Sequence, residues 1–209
     1  ILRAKESLDG KVIIAYADTL FKADFSLDSE KDGIIWVHHV ENPSQFGVVK
    51  LDGEECITDF YEKPKEFVSD LAIIGIYYFR QGEVLRQELQ YLLDNDIKTG
   101  GEYGITDGLR NMMAKGTRFY TYSVEEWLDC GNKDATVLTN QRILEIKKDV
   151  EQLVDESVTI ENSLILEPCY IGKNAVIRNS VIGPHVSVGN DTSIEGSIIR
   201  NSMVQSNSV

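Results

Sequence analysis

The sequence predicts an α/β protein with a mixed sheet, followed at its C-terminal end by a short parallel β-helix. Two observations lead there. From Lys11 to about Tyr122, β-branched and aromatic segments alternate with helical patterns. Beyond about residue 148 helical periodicity vanishes and the chain aligns with itself at a 17-residue period.

The strands expected in order are residues 11–17, 33–40, 47–51, 56–62, 71–79 and 117–123, rich in β-branched and aromatic side chains. In the first, Val12, Ile13, Ile14 and Ala15 form an apolar run of the kind that fills a buried parallel strand. The segment "VVKLDGEECITDFYEKP" reads as two strands turned at Asp52-Gly53, with Pro64 ending the second. Helices are expected at 82–95, where Leu85, Leu89, Leu92 and Leu93 recur at helical spacing, and at 106–115, capped by Gly116. A third, at 134–148, carries Val137, Leu138, Ile143, Leu144 and Ile146 and leads out of the first domain. The expected domains are residues 1–148 and 149–209.

In the tail, "NSLILEPCYIGKNAVIR" (162–178) aligns with "NSVIGPHVSVGNDTSIE" (179–195) and then "GSIIRNSMVQSNSV" (196–209). Ser163, Ser180 and Ser197 fall in register, as do Ile165, Ile182 and Ile199, then Val154, Ile171 and Val188, and Ile160, Ile177 and Ile194. One aliphatic residue per short strand pointing inward, with Gly or a small polar residue at each corner, accounts for this pattern, whereas a Ser/Asn-rich linker does not. So few coils call for capping or a partner, which predicts a homo-oligomer.

The 209 residues suffice for a large domain with an appendage. A formal charge of −13, from 34 acids against 21 bases with no basic block, argues against a nucleic-acid or anionic-membrane surface. No apolar stretch approaches the roughly 18 residues of a membrane span, and the start lacks the order of a signal peptide, so a cytoplasmic protein is expected. Cys56, Cys130 and Cys169 are odd in number and far apart, which suits reduced thiols.

Asp18 and Asp129 each leave an apolar segment at a strand end. Singly they read as turn or cap residues. Brought together at the carboxyl ends of strands, where open α/β sheets bind ligands, they would need a cation between them, and Mg²⁺ suits one or two carboxylates with water and phosphate oxygens. In "FYEKPKE", Lys63 could hold a phosphate as a point charge and Glu62 could accept from sugar hydroxyls, or the two could be a solvated pair. His38-His39 face opposite ways on a strand and do not suit one metal ion.

These residues combine into a resemblance. "YADTLF", "VENPSQFGVVKLD", "ITDFYEKPKE", "LAIIGIYYF", "GGEYGITDGL" and "WLDCGNKDATVLTNQ" occur in the order and at roughly the spacing of the sugar-1-phosphate nucleotidyltransferases. The likeness is to the glucose-1-phosphate thymidylyltransferase type with a C-terminal left-handed β-helix. It implies a partial Rossmann-like nucleotidyltransferase sheet followed by a short left-handed parallel β-helix. It also implies attack by a sugar-1-phosphate oxygen on the α-phosphorus of a nucleoside triphosphate, with dTTP or UTP and glucose-1-phosphate as substrates. By the same resemblance Asp18 and Asp129 hold Mg²⁺, and Glu62 and Lys63 contact the sugar and its phosphate. Gly47 marks a close backbone approach to the sugar, and Ile73, Gly75 and Glu102 line the pocket.

Two departures stand out. Thr19 replaces the Asn usual after the metal Asp, and the Gly-rich G-x-G-T-R-x-x-P loop that cradles the triphosphate is absent. The resemblance therefore implies a longer enzyme, with this fragment inactive alone. A catalytically silent, nucleotide-sugar-binding regulatory or assembly subunit is the alternative. An acyltransferase built on the β-helix is disfavoured, because His185 is the only His in the tail.

Overall fold

The computed structural model describes residues 1–23, 26–53 and 55–209, which fall into two compact units, Ile1–Trp127 and Leu128–Val209. The first holds β1 (Val12–Ala15), β2 (Thr19–Lys22), β3 (Gly33–His39), β4 (Gly47–Leu51), β5 (Ile57–Glu62), β6 (Leu71–Phe79) and β7 (Phe119–Ser123), with helices α1 (Gly82–Asp94) and α2 (Ile105–Ala114). The chain passes between units within β8 (Glu126–Asp129).

β6 organises the sheet, whose order is β5-β4-β6-β3-β7 with β1 also paired to β6. Its alternation shows why all but Leu71 are buried. Ile73, Tyr77 and Phe79 point into a core shared with Leu85, Leu89 and Leu92 of α1 and Leu109 and Met112 of α2. Ile74, Ile76 and Tyr78 point the other way, toward Ile34, Trp36 and Val124. Both faces are covered, so the strand reads as a nearly continuous apolar run. Leu85 is fully buried, and its truncation to Ala would cost about 2–5 kcal/mol.

β3 and β7 run parallel, and the other pairings of this sheet are antiparallel, so the sheet is mixed as expected. β1 departs from the buried parallel strand its aliphatic run suggested. It lies antiparallel to β6, with Val12 and Ile14 against the core and Ile13 49% exposed. Aliphatic content fixes neither pairing direction nor the number of covered faces; the neighbouring element does. Leu20 and Phe21, which suggested a return into the core, are exposed on β2, outside the six-stranded sheet. The hairpin β4–β5 forms as predicted, joined by residues 52–56; Glu54 in that turn lies outside the described residues.

The second unit contains α3 (Lys133–Lys147), opened by Asn132, whose Oδ1 accepts from the Ala135 N–H at 3.0 Å. Three parallel sheets follow: β9 (Thr159–Glu161), β12 (Val176–Arg178) and β15 (Ser193–Glu195); β10 (Leu164–Ile165), β13 (Val181–Ile182) and β16 (Ile198–Ile199); β11 (Cys169–Ile171), β14 (Val186–Val188) and β17 (Ser202–Val204). This is the short left-handed parallel β-helix of the predicted fold class. The register matches the sequence alignment: Ile165 pairs with Ile182 and Ile182 with Ile199, Ile160 with Ile177 and Ile177 with Ile194, Val154 with Ile171 and Ile171 with Val188.

Ile171, Ile177, Ile182 and Val188 are fully buried. Ile160 is not, since among the described residues no coil stacks outside its own. The corners fall on Asn162, Asn174, Asn179, Asp191 and Asn201 at positive φ, a conformation Asn and Asp tolerate better than other side chains. Rungs of hydrogen bonds join the coils: Asn162 Nδ2 donates to Asn179 Oδ1 at 2.8 Å, and the Ser180 and Ser197 N–H groups donate to Ser163 and Ser180 Oγ at 3.0 Å.

α3 is bound to this solenoid. Ser187 Oγ donates to Asn140 Oδ1 at 2.6 Å, and His185 Nε2 lies 2.6 Å from Glu145 Oε1. The division expected after residue 148 thus falls beyond the helix, whereas the compact units divide before it. Among the described residues no helix is long and apolar enough to cross a membrane.

Candidate active site

The β4–β5 pairing sets Gly47 opposite Glu62, and the Val48–Ala72 pairing brings β6 alongside. A Cβ at Gly47 would sit 3.3 Å from Glu62 Oε2, 3.5 Å from Ile73 Cδ1 and 3.6 Å from Thr106 Cγ2. Glycine thus leaves the backbone bare where a carboxylate, an aliphatic side chain and a helix start converge closely on it. Thr106, in the first turn of α2 and only 2% exposed, donates Oγ1 to Glu62 Oε2 at 3.2 Å, fixing one oxygen and leaving the other for a ligand.

Lys63 follows with φ +44°, a left-handed conformation unusual for lysine, held by its N–H donating to the Phe46 carbonyl at 3.1 Å. Its side chain is exposed, and its ammonium has no ion-pair partner among the described residues.

Asp18 occupies the turn between β1 and β2. The flanking backbone is tied down on both sides: the Tyr16 N–H donates to the Gly75 carbonyl at 2.9 Å, and Thr19 Oγ1 to the Ile74 carbonyl at 2.7 Å. Thr19 therefore anchors the turn to β6 with its hydroxyl. The Asp18 carboxylate is exposed and has no hydrogen bond or ion pair among the described residues.

Asp129, in the second unit, uses Oδ1 to accept from the Gly131 N–H at 3.0 Å, and its carbonyl accepts from Thr139 Oγ1 at 2.7 Å. It is a turn residue with one carboxylate oxygen to spare. Each acid belongs to its own compact unit. Among the described residues no group of three or more His, Cys, Asp or Glu could hold a metal. Mg²⁺ needs no such group; hard oxygen donors from one or two carboxylates suffice, and Asp18 and Asp129 are of that kind.

Of the other candidates, Ile73 takes part in the cradle and Gly75 adjoins it at φ +83°. Glu102 does not join. It lies exposed in a turn where its backbone pairs with Thr99. His38 and His39 divide as expected: His39 Nδ1 is 2.9 Å from Asp70 Oδ2 and His38 Nδ1 is 3.3 Å from the Val124 carbonyl. The three cysteines are free thiols.

Sequence reasoning did not single out Thr106, Tyr16 or Tyr77. Tyr16 lies against Gly75, where a Cβ would come within 2.9 Å of its ring, and the Tyr16 and Tyr77 rings are 5.7 Å apart. Both phenols are pushed above their ordinary value, mainly by burial and also by the Glu62 carboxylate. The "ITD" following a glycine was the available signal for Thr106, as a buried hydroxyl at a helix start.

The family model described as "Nucleotidyl transferase" matches residues 8–146. Similar curated proteins include a glucose-1-phosphate thymidylyltransferase of Streptomyces antibioticus, 30% identical over 78% of this chain and 48% of its own length. A bifunctional protein GlmU of Methanococcus aeolicus is 29% identical over 98% of this chain and 54% of its own. The chain spans about half the length of the curated relatives it matches. Among solved structures, a candidate glucose-1-phosphate thymidylyltransferase from Bacillus anthracis, in complex with a sucrose, shares the fold with a TM-score of 0.55 at 21% identity. That match covers 72% of this chain and 60% of the other. With a family model matching well over half of its residues, the chain belongs to the nucleotidyl transferase family.

Proposed function

We propose that this chain forms part of an enzyme that transfers a nucleotidyl group from a nucleoside triphosphate to a sugar-1-phosphate, releasing pyrophosphate. The observation that carries the reading is the convergence of Glu62, Ile73 and Thr106 on the bare backbone of Gly47, with the cation of Lys63, unpaired among the described residues, next in sequence. Such a site offers one acceptor for a sugar hydroxyl, a stretch of backbone bare of a side chain, and a point charge for a phosphate.

In the reaction a sugar-phosphate oxygen attacks the α-phosphorus and pyrophosphate leaves. The protein's task is alignment and charge compensation. Glu62, oriented by Thr106, holds the sugar, and Lys63 offsets the sugar phosphate, which matters in a chain of formal charge −13. Asp18 and Asp129 would hold Mg²⁺, which offsets charge on the α-phosphate and the departing pyrophosphate. Glucose-1-phosphate with dTTP or UTP is the favoured substrate pair, supported by the name of the Streptomyces relative. A homo-oligomer in the cytoplasm completes the reading, supported by the outward, 83% exposed Ile198 on the β-helix and the three free thiols.

The test is pyrophosphate release by the full-length protein from dTTP or UTP, glucose-1-phosphate and Mg²⁺. Release is expected, and it should be lost in Asp18→Asn. Tight binding of a nucleotide sugar without turnover of any sugar-1-phosphate would instead identify a silent regulatory or assembly subunit.

A further inference from the structure

α2 is fastened to β5 at two points. Thr106 and Arg110 lie four residues apart and so share a face of the helix. Thr106 Oγ1 donates to Glu62 Oε2 at 3.2 Å, and Arg110 Nε donates to Asp59 Oδ1 at 3.2 Å, so the helix runs opposite to the strand. Four helical residues advance about 6 Å and three strand residues about 10 Å, a difference that the long arginine side chain makes up.

β5 is the edge strand of its sheet, and side chains alternate along it. Phe60 is fully buried and Glu62 points with it toward Thr106, which puts Asp59 and Tyr61 on the other face. Because the edge has no strand beyond it, Arg110 can pass round it to reach both: its guanidinium also stands 5.5 Å from the centre of the Tyr61 ring. Its Nη1 lies 3.7 Å from Asp107 Oδ1 on the same helix. The other Asp107 oxygen is buried with no hydrogen-bond partner among the described residues, and Arg110 offsets the charge of that acid.

The ion pair by itself explains little. The Arg110 and Asp59 side chains are each 37% exposed, and a single pair so open to water contributes little stability. A planar guanidinium held by an acid on the strand, an acid on the helix and an aromatic face contributes orientation instead. Two of these partners flank the Thr106–Glu62 bond directly: Asp107 follows Thr106 and Tyr61 precedes Glu62.

We propose that Arg110 is a positioning residue of this site: it holds the start of α2 against the end of β5, so that Thr106 fixes one oxygen of Glu62 and the other is aimed at the sugar. The inference rests on the nucleotidyl-transfer reading above and goes beyond it in naming what aligns the sugar-binding carboxylate. Arg110 itself touches no substrate and acts through Thr106.

The experiment is steady-state kinetics and a thermal melt on the full-length protein with Arg110→Lys, Thr106→Val and the two combined, varying glucose-1-phosphate and the nucleotide separately. Arg110→Lys keeps a charge beside Asp107 but loses the planar fork, and should raise KM for the sugar-1-phosphate about threefold with kcat and the nucleotide KM little changed. In the double variant the bond that Arg110 aligns is already gone, so the rise should stay near the roughly fivefold of Thr106→Val alone and fall short of the product, about fifteenfold. Asp59→Ala releases the arginine from the strand while leaving Asp107 its cation, and should match Arg110→Lys; Asp59→Asn keeps an oxygen facing Nε and should restore the native KM. Effects that multiply in the double variant would show Arg110 and Thr106 acting separately, and a sugar-1-phosphate KM unchanged in both Arg110→Lys and Asp59→Ala would leave Arg110 no role; either result overturns the inference. So would an equal rise in the nucleotide KM together with a lowered melt, the mark of a general loosening of the fold. Failure of the native protein to turn over any sugar-1-phosphate would overturn the nucleotidyl-transfer reading and this inference with it.

Discussion

Thr106 donates its hydroxyl to Glu62 Oε2 at 3.2 Å, joining the first turn of α2 to the end of β5 across 44 residues of sequence. Thr106→Val removes the donor at nearly constant shape. A hydrogen bond to a charged group contributes about 1.5–3 kcal/mol when buried. Glu62 is only half-buried, so solvent reduces this to about 1 kcal/mol. KM for the sugar-1-phosphate should rise about fivefold with kcat less affected, and Thr106→Ser should restore it. Steady-state kinetics over a range of sugar-phosphate concentrations check this.

The bond also marks a limit of sequence reading. Strands 47–51 and 71–79 lie where their composition put them, and the β-helix register was legible because inward aliphatics recur at every coil. What composition cannot carry is which distant residues meet. Ile13 and Leu20 are as aliphatic as Ile14, yet the first two are exposed, because no described element covers them. Tyr16 and Thr106 reach the site only through the pairing of β1 with β6 and the placement of α2. The attachment of α3 to the solenoid uses Asn140 and Glu145, polar residues of a helix whose sequence pattern named no neighbour.

Lys63 combines a left-handed backbone with an exposed ammonium that has no ion-pair partner among the described residues. A non-glycine residue held there costs on the order of 1–3 kcal/mol, and glycine is spared most of it. Lys63→Gly should therefore melt above Lys63→Ala, by about 1 kcal/mol in denaturant unfolding, while both lose about a hundredfold or more in activity. If Lys63→Gly were the less stable of the two, the backbone there would not be strained. If Lys63→Ala kept full activity, the phosphate role would fall.

Asp129 has two separable tasks. As a turn residue it accepts from the Gly131 N–H, and as an anion it is a candidate Mg²⁺ ligand. Asp129→Asn keeps an oxygen in the accepting position and removes the charge. It should melt within about 0.5 kcal/mol of the native protein yet require much more Mg²⁺ for the same rate. Asp129→Ala should lose the turn contact as well, at about 1 kcal/mol. A magnesium titration beside a thermal melt separates the tasks: an unchanged Mg²⁺ requirement in Asp129→Asn would leave only the turn.

Glu145 links α3 to the β-helix from a half-buried position, with Lys148 Nζ at 2.6 Å and His185 Nε2 at 2.6 Å on its two oxygens. Lys148 first, then His185, hold its carboxyl below the usual glutamate range. A carboxyl depressed in the folded state adds stability that is present above its unfolded pKa, about 4.3, and disappears as pH falls through the lower folded value. The contribution should thus be constant through neutral pH and vanish only on the acid side. Glu145→Gln should lower the melting temperature of the second unit slightly at pH 7, should not lower it below about pH 3, and should do so less in high salt, as expected of pairs that solvent still reaches. A Gln variant whose deficit persisted undiminished at low pH would show that Glu145 acts through packing along its stem, with its charge contributing nothing to the docking of the helix.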